Sequence, residues 1–274
     1  MNEEKLKYGL KNDYMFRAAM QSSERMLRGL VSALLDLKPV EIKECLIENP
    51  IILGEDIDEK TCILDVKILL NNSKRLNIEL QTTNYGDWQD RGLLYLCRAF
   101  DDLAKGEKYS ELKTTIHIGI LDFTLFPDAP EFYSENLLMN TKNHKIFNSK
   151  FILRVLDLTQ LENVSEKEKE TDLYYWAKLF QAASWEEIAM LAEKNETIKE
   201  AETVMRKLNA DERIQIEHDM ASAYQHGIDV GIEALILDNL EEGISKERIC
   251  EKLQIRFGLE KDQAEEYIRA CQKK

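Results

Sequence analysis

Two acidic side chains, Asp65 and Glu79, are spaced so that they could share one metal ion. Each lies in an apolar run of the chain, and the turn-forming residues 71–73, Asn-Asn-Ser, separate the two runs. A three-residue turn predicts an antiparallel hairpin in which Leu70 faces Lys74 and, counting back, Asp65 faces Glu79. Facing side chains have Cβ atoms roughly 4.5–5.5 Å apart, so two carboxylates at these positions repel each other.

Two explanations for the tolerated repulsion remain open. A divalent cation such as Mg²⁺ takes oxygen ligands from one or two carboxylates and completes its coordination with water and substrate phosphate. Alternatively, Lys67 or Gln81 relieves the repulsion through a salt bridge or a hydrogen bond. The hairpin therefore predicts either metal-assisted phosphate chemistry or a structural polar pair.

The two runs differ in their hydrophobic patterning. Residues 61–70 predict a strand that is buried on both sides except at the charged patch of Asp65 and Lys67. Residues 74–81 alternate with a period of two, which predicts a half-buried strand. Its apolar face carries Leu76, Ile78 and Leu80, and its polar face carries Asn77, Glu79 and Gln81.

The spacing of these residues resembles that of a known nuclease superfamily. Asp65, then Glu79 fourteen residues later and Gln81 two positions on, is similar to the PD-(D/E)XK pattern in the variant that ends in glutamine instead of lysine. More narrowly, roughly residues 9–160 resemble the Rpn family of recombination-promoting nucleases and putative transposases. The matching segments are Lys11-Asn12-Asp13-Tyr14-Met15-Phe16-Arg17, Leu64-Asp65-Val66-Lys67, Asn77-Ile78-Glu79-Leu80-Gln81 and Arg91-Gly92-Leu93-Leu94-Tyr95-Leu96.

The resemblance implies a metal-dependent DNA endonuclease. Asp65 and Glu79 would hold Mg²⁺ or Mn²⁺, Gln81 would position a water molecule or the phosphate, and Lys67 would assist. Glu24 on the first predicted helix is a further candidate metal ligand, with an exposed helix glutamate as the alternative. Because glutamine cannot supply positive charge to the transition state, low activity is expected.

A predicted helix from Asp87 to about residue 105 carries the candidate phosphate contacts. Arg91 and Tyr95 are four residues apart and share a face, and both can donate hydrogen bonds to a phosphate. Arg98 adds a second cation. Alternatively, Arg91 pairs with Asp87 and Tyr95 packs in the core.

The elements around these residues predict an α/β fold. A mixed central β-sheet flanked by helices, a restriction-endonuclease-like core, is expected over residues 1–161. Either Asn12 or Asp13 is expected to cap the first helix, with Asp13 most simply a capping residue. His117 is expected to be a core histidine. The predicted elements are a helix over 13–37, an edge strand over 45–53, the hairpin, the helix from Asp87, a central strand over 114–123 and further strands within 132–158.

The remainder of the chain, residues 162–274, predicts an all-helical C-terminal region. Gly227 and Gly231 lie four apart in one helix, which is weak support for a homo-oligomer contact. The last two predicted helices flank Gly258 and could form a helix-turn-helix, but the final helix is acidic. A surface for oligomerisation or partner binding is therefore the preferred interpretation of this region.

Composition excludes several functional classes. Five scattered cysteines without a C-x-x-C pair argue against disulfides and structural zinc. The sequence contains no glycine-rich phosphate loop and no Gly-x-Ser-x-Gly motif. The absence of an 18-residue apolar run and of a signal peptide predicts a cytoplasmic protein without membrane association.

The net charge of −14 opposes nucleic-acid binding, because phosphate contacts rely on lysine and arginine. Residues 1–165 carry −5 and residues 166–274 carry −9, so the acidity is concentrated in the helical region. No basic stripe marks a duplex-binding face, and any DNA contact must come from a local arrangement. A catalytically inactive nuclease-fold scaffold, with an acidic helical tail that binds proteins, is the competing hypothesis.

Overall fold

The computed structural model describes residues 6–47, 51–52, 62–63, 66–101, 103, 105–210, 232, 235–240, 244–257, 259 and 261–271. The chain divides into two compact units, Met1–Ala210 and Asp211–Lys274. Helices after Leu161 that the sequence assigned to a separate C-terminal region lie within the first unit up to Ala210. Asp65, the first of the two candidate acids, lies outside the described residues.

Two helices open the first unit. Helix α1 spans Asp13–Ser22 and helix α2 spans Glu24–Leu35. The prediction of one continuous helix was wrong, because Ser23 adopts an extended conformation and its hydroxyl accepts a hydrogen bond from the backbone N–H of Met26. Serine at that position caps the second helix instead of continuing the first.

The centre of the first unit is a six-stranded mixed sheet, which confirms the predicted fold class. The strands are β1 Cys45–Ile47, β4 Val66–Leu70, β5 Lys74–Gln81, β6 Thr114–Leu121, β7 Tyr133–Met139 and β8 Ile146–Asp157, with β2 Ile51–Ile52 and β3 Cys62–Ile63 in a separate pair. The spatial order of the sheet is β1-β4-β5-β6-β8-β7, with parallel pairing of β5 to β6 and of β6 to β8 and antiparallel pairing elsewhere. Strand β1 lies at an edge, as Pro50 in its predicted extension indicated.

The hairpin of β4 and β5 has the predicted register. Leu70 pairs with Lys74, and the pairing continues back to Val66 opposite Ile78. Asn71 and Asn72 both adopt the left-handed conformation, which asparagine tolerates better than most residues. The Asn71 amide oxygen also accepts hydrogen bonds from the backbone N–H groups of residues 43 and 44, so the turn is fixed to the segment that precedes β1.

Helices cover both faces of the sheet, and this corrects the prediction that β5 is half-buried. Helix α3, Trp88–Phe100, lies over the polar face of β5. Helix α2 lies at the opposite face, where Tyr133 and Arg154 both donate hydrogen bonds to the Leu34 carbonyl. The first unit also contains α4 Glu166–Lys169, α5 Asp172–Gln181, α6 Trp185–Ala192 and α7 Glu196–Ala210.

The second unit is helical where it is described. Helices span Lys246–Phe257 and Lys261–Cys271, and residues 235–240 are also helical. Gly227 and Gly231 lie outside the described residues, so the homo-oligomer contact remains a prediction. None of the helices in the described part of the chain is long and apolar enough to cross a bilayer. The core consists of Ile232, Ile236, Ile249, Cys250, Leu253, Ala264 and Ile268.

Candidate active site

The polar face of β5 forms a buried polar cluster beneath α3. Lys67 of β4 pairs with Asn77, and Asn77 pairs with His117 of β6, so these three side chains emerge on the same face of the sheet. Glu79 and Gln81 follow Asn77 at two-residue steps and share that face. Asn77, Glu79, Gln81 and His117 are all buried.

Glycine at position 119 lets α3 approach this face closely. Gly119 pairs with Glu79, and a Cβ atom built on it would lie 2.1 Å from Trp88 Cζ2. On the helix, the equivalent position of Gly92 would lie 3.4 Å from His117 Nε2. The two glycines thus allow the Trp88 ring and the α3 backbone to seal the polar cluster from one side.

Glu79 is the centre of the cluster. Its Oε1 lies 2.8 Å from Arg91 Nη2, and its Oε2 lies 3.3 Å from His117 Nε2. Burial alone would raise the pKa of Glu79, but the hydrogen bond from His117, together with the Arg91 guanidinium, outweighs it and holds that pKa below its ordinary value. Glu79 is therefore a buried carboxylate that is ionised at neutral pH. A carboxylate must be ionised to bind a metal ion.

His117 links Asn77 to Glu79. Asn77 Nδ2 lies 2.7 Å from His117 Nδ1, within a cluster where the imidazole is fully buried. With the Asn77 amide as donor, Nδ1 accepts and the ring proton is on Nε2, toward the carboxylate of Glu79. The expected core histidine is confirmed as buried, but the sequence interpretation missed its contact with a candidate catalytic acid.

The acceptor oxygens of the cluster fit a divalent cation. Gln81 Oε1 is buried and has no hydrogen-bond partner among the described residues, while Gln81 Nε2 donates to the Thr83 carbonyl at 2.8 Å. Glu79 Oε2 is also buried, and His117 Nε2 lies 3.3 Å from it. Carboxylate and amide oxygens are ligands that Mg²⁺ accepts. Within the described ranges no group of three or more His, Cys, Asp or Glu side chains is arranged to hold a metal, and Asp65 lies outside those ranges.

Asp13 is a carboxylate that the sequence interpretation underrated. The helix cap is Asn12, whose side chain accepts a hydrogen bond from the Met15 N–H, so the Asp13 carboxylate has no capping role. Partial burial raises the pKa of Asp13, Arg17 lowers it, and the charge of Glu79 raises it further. Asp13 is therefore within electrostatic reach of Glu79.

A hydrogen-bond network fixes the start of α1 beside the end of β5. Lys11 Nζ donates to Asp122 Oδ2 at 2.8 Å and to Gln181 Oε1 at 2.9 Å, and Gln181 Nε2 donates to Asp122 Oδ1 at 2.7 Å. The Asp122 backbone N–H donates to the Gln81 carbonyl at 3.0 Å. The network gives the Lys11-Asn12-Asp13 segment a physical role, because it positions Asp13 near the carboxyl end of β5.

The structure does not bring Glu24 to this cluster. Glu24 is exposed and forms an ion pair with Arg28 at 2.6 Å. Burial raises the pKa of Cys45 to about 11, with Arg28 lowering it and Glu24 raising it, so Glu24 lies near Cys45. Cys45 pairs with Leu70, which in turn pairs with Lys74 at the start of β5. Lys74 precedes Glu79 by five residues, so Cys45 is about 16 Å from the level of Glu79 along the strand direction, at about 3.3 Å per residue.

Arg91 and Tyr95 of α3 both contact residues of the polar cluster. The alternative in which the Arg91 guanidinium pairs with Asp87 was wrong, because Arg91 pairs with Glu79. Tyr95 lies edge-on to the His117 ring, with centroids 6.1 Å apart. Arg91 retains about a quarter of its side-chain exposure, at 26%, and so connects the buried cluster to solvent.

Comparisons with known proteins give one match. A family model described as "PD-(D/E)XK nuclease family transposase" matches residues 10–234. This range includes Asp13, Glu79, Gln81 and Arg91 and covers most of the chain. No curated protein and no solved structure matches the chain significantly.

Proposed function

This chain belongs to the PD-(D/E)XK nuclease family transposases, and from that premise we propose that it is a metal-dependent endonuclease that hydrolyses phosphodiester bonds in DNA. One observation carries the proposal. Glu79 is kept ionised on a buried polar face, where the Gln81 Oε1 has no hydrogen-bond partner among the described residues. Such oxygens suit a hard cation better than they suit a packed core.

Three carboxylates would hold the cation in this proposal. Glu79 is one, and the observed register of β4 and β5 supports the sequence expectation that Asp65 faces it. Asp13, whose raised pKa reflects in part the charge of Glu79, would be the third. When bound, Mg²⁺ or Mn²⁺ would polarise the scissile phosphate and lower the pKa of an attacking water.

Gln81 and Lys67 would complete the catalytic positions. Gln81 Nε2 is held by the Thr83 carbonyl, which leaves Oε1 as an acceptor that can orient the proton of an attacking water. Lys67 emerges from β4 on the same face and would supply the positive charge that a glutamine at position 81 lacks.

Arg91 and Tyr95 would act on the substrate. In the structure the guanidinium of Arg91 neutralises Glu79. A cation at Glu79 would compensate the same charge, so Arg91 would be released to donate to a phosphate oxygen of the DNA. Its partial exposure makes this exchange possible without unfolding α3. Tyr95, one helical turn further on, would offer a second donor.

Plasmid nicking tests this function. With Mg²⁺, the wild-type chain is expected to convert supercoiled DNA to the open circle, while Asp65→Asn and Glu79→Gln are expected to lose the activity by at least about 100-fold, as is usual for removal of a group that stabilises charge in the transition state. Glu135→Gln, which alters a carboxylate paired with Arg154 on the same sheet, is the control and should retain activity. Wild-type cleavage by Glu79→Gln would refute the proposal.

An inactive scaffold is the second candidate function, and one observation favours it. The Arg91 guanidinium already neutralises Glu79 and His117 Nε2 lies 3.3 Å from its Oε2, so the fold tolerates this buried acid without a metal. The helical second unit would then provide protein binding or self-assembly. This alternative expects neither cleavage nor stabilisation by Mn²⁺, whereas the nuclease proposal expects both.

A further inference from the structure

Strands β7 and β8 extend beyond the sheet as a two-stranded arm, defined here as residues 138–148. Strand β8 pairs with β6 from Phe151 onward, whereas Asn148 and Ile146 pair with Leu138 and Met139 of β7. Two shifts in register, around Leu138, interrupt the pairing in this part of the ribbon. The part of β8 that lies in the arm therefore pairs with β7 alone, whereas residues 152–156 of β8 pair with both β6 and β7.

The tip of the arm is an ordered turn. The Asn140 N–H donates to the Lys145 carbonyl at 2.9 Å, and the His144 N–H donates to the Asn140 carbonyl at 2.8 Å. The Asn140 side chain accepts from the N–H groups of Lys142 and Asn143 at 2.9 and 3.2 Å. This network presents the exposed side chains of Lys142 and Lys145 from a preformed backbone, which lowers the entropic cost of binding.

Lys150 has a different role at the base of the arm. Its Nζ donates to the carbonyls of Ser110 and Leu112 at 3.0 and 2.6 Å. This lysine therefore fixes the base of the arm to the segment before β6, and its charge is committed to the fold. The charges that are available to a partner are those of the tip.

The arm is a basic stretch of an acidic chain. No aspartate or glutamate occurs between Glu135 and Asp157, although the chain has 51 acidic residues and a net charge of −14. Such a stretch attracts a polyanion locally while the rest of the surface repels it. A local arrangement of this kind is what DNA binding by an acidic chain requires.

The arm also exposes apolar side chains next to its lysines. Phe147 is 81% exposed, and Ile146, Leu138 and Met139 are exposed as well. Proteins that bind in DNA grooves insert such side chains between base steps or against sugars, and a two-stranded ribbon fits a groove. An exposed aromatic flanked by lysines on a ribbon combines both types of contact.

We propose that the arm docks in a groove of duplex DNA, with Lys142 and Lys145 on the phosphates and Phe147 against the bases or sugars. The choice of DNA as the ligand rests on the proposed nuclease function. Val155 lies level with Gly119 and hence with Glu79 in the sheet, and it pairs with Ser134 of β7. Ile146 pairs with Met139, which lies five residues beyond Ser134 along β7. This part of the arm therefore lies about 17 Å along the strand direction from the level of Glu79, a distance that about five base pairs span.

Fluorescence anisotropy with a labelled 25-base-pair duplex in EDTA tests the arm without any cleavage. The double variant Lys142→Glu/Lys145→Glu is expected to bind about tenfold or more weakly at 0.1 M salt, and the slope of log K against log salt should decrease in magnitude by about 2, the value for two phosphate contacts. Phe147→Ala is expected to weaken binding without changing the slope, because it carries no charge.

The matched control is Lys194→Glu/Lys199→Glu, which makes the same charge change on exposed lysines elsewhere. It should bind within about twofold of wild type, because exposed charges beyond about 10 Å are screened at this salt concentration. Equal binding by the arm variant and the control would overturn the proposal. A change in oligomeric state of the arm variant, measured by sedimentation with duplex affinity unchanged, would overturn it in favour of a second copy of the chain as the occupant.

The outcome for the arm is separable from the outcome for the nuclease. Duplex binding through the arm with no cleavage by the wild-type chain would refute the nuclease proposal and leave the arm intact. Cleavage by the wild-type chain, together with normal duplex binding by the arm variant, would refute the arm proposal alone.

Discussion

Replacing Glu79 by glutamine should reveal whether this side chain holds a metal. The substitution keeps the shape of the side chain but removes the charge that contacts Arg91 at 2.8 Å and His117 at 3.3 Å. Two unit charges at 2.8 Å attract by about 6 kcal/mol at an effective dielectric constant of about 20. Desolvation of the two groups offsets most of this attraction, and charged hydrogen bonds have a net value of about 1.5–3 kcal/mol. We therefore expect a loss of about 2 kcal/mol without metal.

Urea unfolding followed by tryptophan fluorescence measures this loss. Trp88, Trp176 and Trp185 all lie in the first compact unit, so the signal follows that unit. A loss of about 2 kcal/mol corresponds to a fall of about 1 M in the urea midpoint at an m-value of about 2 kcal/mol per M. The pKa of Glu79 is lowered in the folded state, so its contribution is present at neutral pH and is lost as the pH falls through that value.

Stabilisation of the fold by Mn²⁺ distinguishes a metal-binding carboxylate from one with a purely structural role. At about 100 times its dissociation constant, Mn²⁺ should stabilise the wild-type chain by about 2.7 kcal/mol and should not stabilise Glu79→Gln. Glu135→Gln breaks the more exposed pair with Arg154, so it should cost less than about 1 kcal/mol and retain the full effect of Mn²⁺. If Mn²⁺ stabilised wild type and Glu79→Gln equally, or neither of them, the assignment of Glu79 as a metal ligand would be refuted.

Two further substitutions probe the surroundings of the site. Gly119→Ala should destabilise the fold by about 1–3 kcal/mol or more and lower the urea midpoint, because the added Cβ would lie 2.1 Å from the Trp88 ring; an unchanged midpoint would contradict the close packing of α3. The raised pKa of Asp13 means that its ionisation opposes folding, so stability is lost as the pH rises through the folded pKa. Asp13→Asn should therefore match wild type below about pH 4 and exceed it at pH 7 in metal-free urea unfolding, and a less stable variant at pH 7 would show that a favourable partner holds the ionised form.

The sequence predicted the hairpin because the information that specifies it is local. Residues 71–73 are a turn signal that asparagine can satisfy in the left-handed conformation, and the period of two in residues 74–81 identifies the polar face. Turn length and alternation together fix the register, and the described pairs from Val66 to Leu70 follow it. The same local logic failed at Ser23, where the apolar periodicity on both sides concealed a helix cap.

The sequence could not predict how the polar face is covered. Period-two alternation is typical of a strand with one solvated face, but α3 crosses over the strand and buries Asn77, Glu79 and Gln81. The decisive residue, Gly119, lies 40 positions beyond Glu79 and reaches it through the parallel pairing of β5 with β6. Nothing in the local pattern of either strand shows that an aromatic ring from a helix fills the space above this glycine.

The sequence by itself determined the mixed α/β fold, the hairpin and the set of polar residues on β5, since periodicity, turn chemistry and family motifs are properties of short segments. Only the tertiary structure decided that Arg91 neutralises Glu79, that His117 contacts it, that Asp13 lies within reach of it and that Glu24 does not. The physical reason is that contacts between distant segments depend on which helix packs on which face and at what depth. Burial then sets how strongly each charged group interacts with its neighbours and how far its pKa shifts. The spacing of residues in the sequence gives no information about burial.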